Sequence, residues 1–170
     1  MEDKKRMLRS FGMSKLNNLE IARWRLHQIQ SLFQLELAEL EKHIPNGSKV
    51  LDIGCGNGIK GVELAKHLDI AYTGIDFFSK EMIIKANANL NTYESDLKGH
   101  VTFVRGDVLR LQDTIKDMYD VVITSRCLIN LVSIEEHIQA IANIYEVLKE
   151  NGIYLMVEKQ YSIIKQFECC

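Results

Sequence analysis

Three glycines alternate with other residues at positions 54, 56 and 58, directly after an apolar run at 50–53. A glycine has no Cβ, so the backbone can turn tightly there and lie against a ligand. A helical pattern begins directly after the turn. The first turn of a helix presents unpaired N–H groups and the positive end of its dipole. This stretch therefore predicts a small-molecule site built largely from main chain.

Polar residues also stand where later apolar runs end. Asp76, Asp107 and the segment Ser125-Arg126-Cys127 each come at or just after the end of such a run. The carboxyl ends of parallel strands share one edge of a sheet, and ligands bind in the crevice beyond that edge. We expect these groups to meet the glycine turn there.

The elements that must position these groups alternate between strand and helix. The predicted strands are 50–53, 71–76, 101–104, 119–124 and 153–157. Helical patterns lie between them: one at 59–68, one capped by Ser79, and one opened by the capping-box residues Ser133 and Glu136. The segment 87–99 is polar and is predicted to be mostly loop. The fourth strand is the most continuously apolar and is predicted to be central.

This alternation predicts an α/β fold, with a mainly parallel sheet of about five strands and helices on both faces. In the last helix, the spacing predicts an inner face formed by Ile138, Ile141, Tyr145 and Leu148. His137 is predicted to lie on the surface of that helix.

A long amphipathic helix precedes the core and is expected to pack on it. Its apolar residues recur at intervals of three and four, at Ala22, Leu26, Ile29, Phe33, Leu37, Leu40 and Ile44. Asn17 or Asn18 is the predicted cap, and Pro45 to Gly47 the end. No linker divides the 170 residues, so we expect one domain. Its parts are a mobile arm and helix at 1–45, a core at 46–158 and a short tail at 159–170.

Two kinds of ligand fit the glycine turn. Residues 56–61 match G-x-G-x-x-G, with Asp76 at a suitable distance for a ribose, which is typical of a dinucleotide site. The alternating glycines with Asp52 before them also suit a ligand without a pyrophosphate. An acid at that place favours a ligand with a cationic amino group, through charge-assisted hydrogen bonds.

Residues 46–158 resemble the Rossmann-like S-adenosylmethionine-dependent methyltransferases, which form a three-layer sandwich. Five motifs carry the resemblance in order: the glycine-rich first motif at 50–58, the second-strand motif at 72–76, the adenine loop at 105–108, the fourth strand with its substrate-facing turn at 119–131, and the approach to the fifth strand at 148–155. The resemblance implies an enzyme that uses S-adenosyl-L-methionine and leaves S-adenosyl-L-homocysteine.

The resemblance also implies roles for single residues. The turn passes close to the methionine part and the ribose through Gly54, Cys55, Gly56, Asn57 and Gly58. Asp52 orients the turn or meets the ammonium group through water. Asp76 accepts both ribose O–H groups, and Phe77 lies against the adenine. The adenine loop contributes Gly106, Asp107, which accepts from the adenine amino group, and Val108, whose N–H faces a ring nitrogen. Ser125, with Arg126 beside it, lies near the methionine carboxylate or the reacting methyl.

Several of these residues have a plainer alternative. Asp52 and Asp107 also suit turns or helix caps, and Arg126 suits a surface salt bridge. Cys127 suits a small packed side chain rather than a nucleophile, and Asn130 either faces the acceptor or caps a local turn. No residue is identified as a catalytic base, although Glu158 and Tyr161 are the best placed, and no metal site is predicted.

The composition of the chain limits the kinds of partner and acceptor that we expect. The net charge of −2 argues against a nucleic-acid or membrane partner. The spacing of the four cysteines, at 55, 127, 169 and 170, suits neither a disulfide framework nor a zinc site. No segment has the pattern of a signal peptide or a membrane span. We therefore expect a cytoplasmic protein. The expected acceptor is a small molecule or metabolite. The alternatives are a catalytically idle cofactor-binding subunit and a methyltransferase that acts on RNA or protein.

The resemblance further implies a helix and an antiparallel hairpin after the fifth strand, for which the twelve residues after Glu158 are too few. We expect either that the chain is a truncated form or that a partner supplies the rest. A bare strand edge is usually covered or paired. We therefore expect a homodimer or a partner subunit to cover the edge of the fifth strand.

Overall fold

The computed structural model describes residues 18–77 and 80–158. The chain divides into two compact units, one up to Glu39 and one from Leu40 that holds the sheet. Helix α1 (Asn18–Glu41) makes up the described part of the first unit. It ends before Ile44, as the residue preceding a proline disfavours helical backbone. The predictions of a mobile arm, of the caps Asn17 and Ser79, of the tail with Tyr161 and of a missing hairpin concern residues outside the described ranges. The packing of α1 on the core and the single domain remain predictions.

Five parallel strands form one sheet in the second unit, which confirms the predicted fold class. They are β1 (Lys49–Ile53), β2 (Ala71–Asp76), β3 (His100–Arg105), β4 (Tyr119–Ser125) and β5 (Leu148–Val157). Their spatial order is β3-β2-β1-β4-β5. The central strand is thus β1, and the prediction that β4 is central was wrong by one position. The glycine turn follows β1, where the order of the strands reverses.

Helices cover both faces of the sheet and complete the three layers. They are α2 (Ile59–His67), α3 (Lys80–Tyr93), the short α4 (Leu111–Thr114) and α5 (Ile134–Val147). On one face, Leu51 and Ile53 of β1 pack with residues of α4 and α5 in the main apolar core. On the other face, α2 approaches β2 so closely that a Cβ on Gly61 would lie 2.2 Å from the Tyr72 ring.

The prediction of a loop at 87–99 was wrong for its first half, because α3 continues to Tyr93. The polar residues that suggested a loop bond to carbonyl groups of the preceding turn. The Asn87 side chain donates to the Ile83 carbonyl at 2.8 Å, and the Thr92 hydroxyl donates to the Ala88 carbonyl at 2.9 Å. These bonds are compatible with a helix whose outer face is polar.

The predicted inner face of α5 was also wrong. Ile138 and Tyr145 are 65% and 78% exposed. The residues that α5 buries are Ala140, Asn143, Ile144 and Val147. A polar residue can face inward because the Asn143 amide donates to the Val108 carbonyl at 2.7 Å. The predicted cap is confirmed, since the Ser133 hydroxyl accepts from the Glu136 N–H at 3.2 Å.

Strand β5 begins at Leu148, five residues before the predicted start. Asn151 adopts a φ of 63°, and the pairing with β4 shifts register between Tyr119 and Val121, so the strand accommodates the Asn-Gly pair that had suggested a turn. Within the described sheet β5 lies at the edge, and its association with a second subunit remains a prediction. None of the described helices is long and apolar enough to cross a membrane.

Candidate functional site

All three glycines of the turn adopt positive φ angles, of 81° at Gly54, 57° at Gly56 and 74° at Gly58. Side chains rarely adopt this conformation. Packing adds a second constraint at two of them. A Cβ on Gly54 would lie 2.8 Å from Cys127, and one on Gly58 would lie 2.5 Å from Phe103, whereas one on Gly56 would meet nothing within 4 Å. The middle of the turn therefore faces open space that a ligand can approach closely.

The turn is bound to the end of β2 by three hydrogen bonds. The N–H groups of Gly54 and Cys55 both donate to the Ile75 carbonyl, at 2.8 and 2.9 Å. The Gly56 N–H donates to Oδ2 of Asp76 at 2.9 Å. The structure thus brings the predicted glycine turn and the predicted acid together at one edge of the sheet.

Asp52 lies behind the turn and is completely buried. Its Oδ2 accepts a hydrogen bond from the Tyr72 hydroxyl at 2.5 Å, and the Lys60 ammonium group lies 3.9 Å away. Burial, and next the negative charge of Asp52, raise the pKa of Tyr72 well above its usual value. The partners of Oδ2 are therefore protein side chains, whereas the buried Oδ1 has no hydrogen-bond partner among residues 18–77 and 80–158. Sequence reasoning did not identify Tyr72 and Lys60; a hydroxyl within an apolar strand was the available signal.

Asn57 takes part in holding the turn. Its carbonyl accepts from the Asn89 side chain at 2.9 Å, which ties the turn to α3. Its own Oδ1 lies 3.4 Å from the Ile59 nitrogen at the start of α2, a long hydrogen bond.

The end of β3 lies next to Asp76. Gly106 donates its N–H to the Asp76 carbonyl at 3.2 Å. Asp107 begins a short 3-10 turn and caps it, since its Oδ1 accepts from the Leu109 N–H at 2.9 Å. Val108 is buried. The capping role foreseen for Asp107 is therefore present, and its role toward adenine remains a prediction.

Phe77 follows Asp76 directly and is 55% exposed. The Arg105 guanidinium group lies 5.9 Å from the centre of its ring, within the range of a cation–π contact. An exposed aromatic face beside the carboxylate of Asp76 suits stacking against a planar ligand.

The end of β4 completes the edge. Ser125 is 8% exposed, and its hydroxyl oxygen has no hydrogen-bond partner within 18–77 and 80–158. Arg126 adopts a φ of 52°, and its N–H donates to the Val157 carbonyl at 2.8 Å. The Asn130 side chain donates to the carbonyls of Arg126 and Cys127, at 3.0 and 3.1 Å, so it caps the local turn.

Two thiols border the glycine turn. Burial raises the pKa of Cys127 to about 12, with further contributions from the charges of Asp52, Asp76 and Glu158. Burial likewise raises the pKa of Cys55 far above its usual value, with contributions from Asp52 and Asp76. Both thiols stay protonated at neutral pH, and the thiolate is the nucleophilic form. They act as packed side chains here.

His137 is hydrogen-bonded at the start of α5. Its ring donates to the carbonyl of Ser133, the cap of that helix, at 2.8 Å. In the part of the chain that the structure describes, no three His, Cys, Asp or Glu side chains are grouped so as to hold a metal ion. A depression of about 430 Å³ lies at the opposite, amino edge of the strands and includes the ion pair of Asp120 with Lys149. Ligands of parallel sheets bind at the other edge.

The chain is similar to known methyltransferases in sequence and in fold. A family model described as "Methyltransferase domain" matches residues 50–152, more than half of the chain. The chain is 32% identical over 118 residues to the ribosomal protein L11 methyltransferase of Dictyoglomus turgidum, covering 69% of this chain and 34% of that protein. It is 35% identical over 65 residues to the 27-O-demethylrifamycin SV methyltransferase of Amycolatopsis mediterranei, covering 38% and 23%.

Among solved structures, the chain is similar to an SAM-dependent methyltransferase from Methanosarcina mazei. The identity is 23% and the TM-score 0.62, covering 69% of this chain and 55% of that one. This likeness shows the fold. The chain spans at most 41% of the length of the curated relatives that it matches.

Proposed function

We propose, since the chain belongs to the S-adenosylmethionine-dependent methyltransferases of Rossmann-like fold, that it transfers a methyl group to a nitrogen or oxygen of a small molecule or metabolite. S-adenosyl-L-methionine is the cofactor of this family. The hydrogen bond of 2.9 Å between the Gly56 N–H and the Asp76 carboxylate carries the proposal. It joins the backbone turn and the acid that such a nucleoside requires.

The residues at this edge fit the cofactor. The space above Gly56 allows close approach of a ligand to main chain. A carboxylate such as that of Asp76 can accept from vicinal hydroxyl groups of a ribose. Phe77 offers an exposed aromatic face on the same side. The buried pair of Asp52 with Lys60 supports the turn from behind.

The cofactor supplies a methyl group on a positively charged sulfur that leaves readily. The main task of the chain is therefore to hold the acceptor in line with that methyl, and orientation of this kind can supply most of the rate. In this proposal the glycine turn and Asp76 hold the cofactor, and the turn after β4 together with Glu158 serves the acceptor.

Titration calorimetry with S-adenosyl-L-homocysteine and with NAD tests the cofactor. We expect the first to bind and NAD not to bind, whereas binding of NAD alone would support the dinucleotide alternative. Asp76→Ala should lower the affinity for S-adenosyl-L-homocysteine by at least about tenfold, because each hydrogen bond to a charged group contributes roughly 1.5–3 kcal/mol. Asp76→Asn keeps an oxygen that accepts from the Gly56 N–H, so the turn should keep its support. A loss of affinity in this variant would therefore be due to lost contacts with the ligand. Asp113→Ala, at an exposed carboxylate, is the control.

The acceptor class needs its own experiment. The nearly neutral charge of the chain supports a small acceptor, whereas the likeness to a ribosomal protein methyltransferase favours a protein. Transfer of a labelled methyl group to a metabolite panel, to ribosomal protein and to RNA distinguishes these acceptors. Binding of the cofactor without transfer to any of them would favour the idle subunit.

A further inference from the structure

Glu158 follows β5 directly and has one carboxylate oxygen without a partner. Its Oε1 accepts from the Leu128 N–H at 3.2 Å. Its Oε2 is shielded from solvent and has no hydrogen-bond partner among residues 18–77 and 80–158. A buried carboxylate oxygen without a donor is costly, and in native proteins such a group calls for an explanation.

The position of Glu158 connects it to the glycine turn. Ser125 pairs with Val157 across β4 and β5, so Glu158 stands beside the turn that follows β4. Cys127 lies in that turn, directly before the residue whose N–H binds Glu158. The Cys127 Sγ lies 2.9 Å from the place where a Cβ on Gly54 would stand. One side chain therefore separates the cofactor turn from the neighbourhood of Glu158.

The charges around this point favour a cation. Besides burial, which is the largest cause, the charges of Asp52, Asp76 and Glu158 raise the pKa of the Cys127 thiol, and the charge of Lys60 lowers it. The Ser125 hydroxyl and Oδ1 of Asp52 are further buried groups that have no hydrogen-bond partner among the described residues. Arg126 holds left-handed backbone between Ser125 and Cys127, and backbone of this kind is concentrated at functional sites. A positively charged acceptor would meet net negative charge and an unused acceptor oxygen here.

We propose that Glu158 accepts the proton of the methyl acceptor, and that this acceptor is an amine which arrives as its ammonium ion. The inference rests on the proposed methyltransferase function and deepens it. An ammonium ion satisfies the buried carboxylate as a donor, whereas its nitrogen has no lone pair for attack until a proton is removed.

The Glu158 carboxylate takes one proton and becomes neutral, and the nitrogen keeps the electron pair of that N–H bond. This pair forms the new bond to the methyl carbon, while the bond from carbon to sulfur breaks and its electrons stay on sulfur. The product is a methylated ammonium ion, and Glu158 then releases its proton to water.

Binding of simple probes tests the charge preference without any turnover. The protein saturated with S-adenosyl-L-homocysteine is titrated with butylammonium, butanol and butyrate, and binding is followed by NMR. We expect butylammonium to bind at least about tenfold more tightly than the other two, the effect of one hydrogen bond to a charged group. Glu158→Gln, which keeps an acceptor for Leu128, should abolish this preference. Glu150→Gln, at an exposed position of the same strand, should retain it.

A pH profile separates proton transfer from structural support. With an amine that the wild type methylates, the rate of Glu158→Gln should rise about tenfold per pH unit from pH 7 to 9. Over this range the fraction of free amine, whose pKa is about 10.4 for an alkylammonium ion, grows in that proportion. The wild-type rate should rise far less steeply. Glu158→Asp should bind the cofactor normally, and its rate should rise with pH less steeply than that of Glu158→Gln and more steeply than that of the wild type.

The outcomes distinguish the two proposals. Failure of S-adenosyl-L-homocysteine to bind the wild type would overturn the proposed function. Normal binding with equal affinity for butylammonium and butanol, or with an unchanged preference in Glu158→Gln, would overturn the role of Glu158 alone. If no amine of the panel is methylated, the binding comparison decides by itself.

Discussion

Replacing Tyr72 by phenylalanine removes a single oxygen atom from behind the glycine turn. The ring keeps its place, since it packs edge-on against Phe103 with the ring centres 6.1 Å apart, and α2 covers it at Gly61. The completely buried Asp52 loses the hydrogen bond of 2.5 Å from the Tyr72 hydroxyl. Its remaining interaction is the ion pair with Lys60, at 3.9 Å.

The expected loss follows from this geometry. Hydrogen bonds to charged groups contribute roughly 1.5–3 kcal/mol, and the buried carboxylate gains no water in exchange. We expect Tyr72→Phe to lower the free energy of unfolding by about 2 kcal/mol. For a chain of this size, the midpoint of thermal unfolding should fall by roughly 4–8 °C.

Urea unfolding followed by far-UV circular dichroism measures this loss in the sheet. The single tryptophan, Trp24, is in the first unit and is a poor probe of it. Tyr154→Phe removes a hydroxyl whose partner is the neutral Thr124, at 2.8 Å, and should cost about 1 kcal/mol. Tyr145→Phe, at a position 78% exposed, should change little.

The dependence on pH provides a second check. Burial and the charge of Asp52 raise the pKa of Tyr72 above the usual 10.0. A group whose pKa is raised by folding stabilises the native state at pH below the unfolded pKa, and this contribution is lost as the pH rises through the folded value. The difference between wild type and Tyr72→Phe should therefore shrink above about pH 10. A loss below about 0.5 kcal/mol at pH 7 would refute the reasoning.

Three further predictions concern the turn, the last helix and the strand edge. Gly58→Ala should cost roughly 2–5 kcal/mol of unfolding free energy, since it adds a clash with Phe103 to the cost of left-handed backbone, whereas Gly56→Ala should cost about 1–2 kcal/mol. Ser133→Ala removes the acceptor of the Glu136 N–H and should cost about 1 kcal/mol. Light scattering of the chain should show association, as proposed for the edge of β5.

Each of these three predictions would be contradicted by a specific result. Equal losses at Gly56 and Gly58 in urea unfolding would show that the clash at Gly58 is relieved by movement of Phe103. An unchanged midpoint for Ser133→Ala would show that water replaces the cap. A concentration-independent monomer would exclude association at the strand edge.

The sequence was informative about the site where function depends on main chain. The positive φ angles of the turn require glycine, so the turn is visible as alternating glycines at 54–58. Asp76 ends a strand, and parallel strands bring their carboxyl ends together whatever the side chains between them are. The positions of Gly56 and Asp76 at the ends of two predicted strands were therefore enough to predict that they lie close together.

Side chains that find partners far along the chain were not predictable in this way. Asn143 faces the core because the Val108 carbonyl is there to accept its amide, and α5 then turns Ile138 and Tyr145 outward. An analysis of periodicity considers only where apolar residues recur. It cannot predict that a polar side chain such as Asn143 will be buried because its amide is hydrogen-bonded. Asp52 likewise finds Tyr72 from another strand, and their pairing depends on the register of β1 with β2.

The two sides of the site therefore differ in how substitutions should affect them. The proposed cofactor side consists of glycine backbone that Asp52 and Tyr72 support from the interior, so substitutions there should change stability and cofactor affinity together. The proposed acceptor side depends on one group, the Glu158 carboxylate, whose Oε2 has no hydrogen-bond partner among residues 18–77 and 80–158. Glu158→Gln should therefore leave the fold intact and change the choice of acceptor. Under this proposal, substitutions at the end of β5 should alter the choice of acceptor, and those in the turn after β1 should alter cofactor affinity.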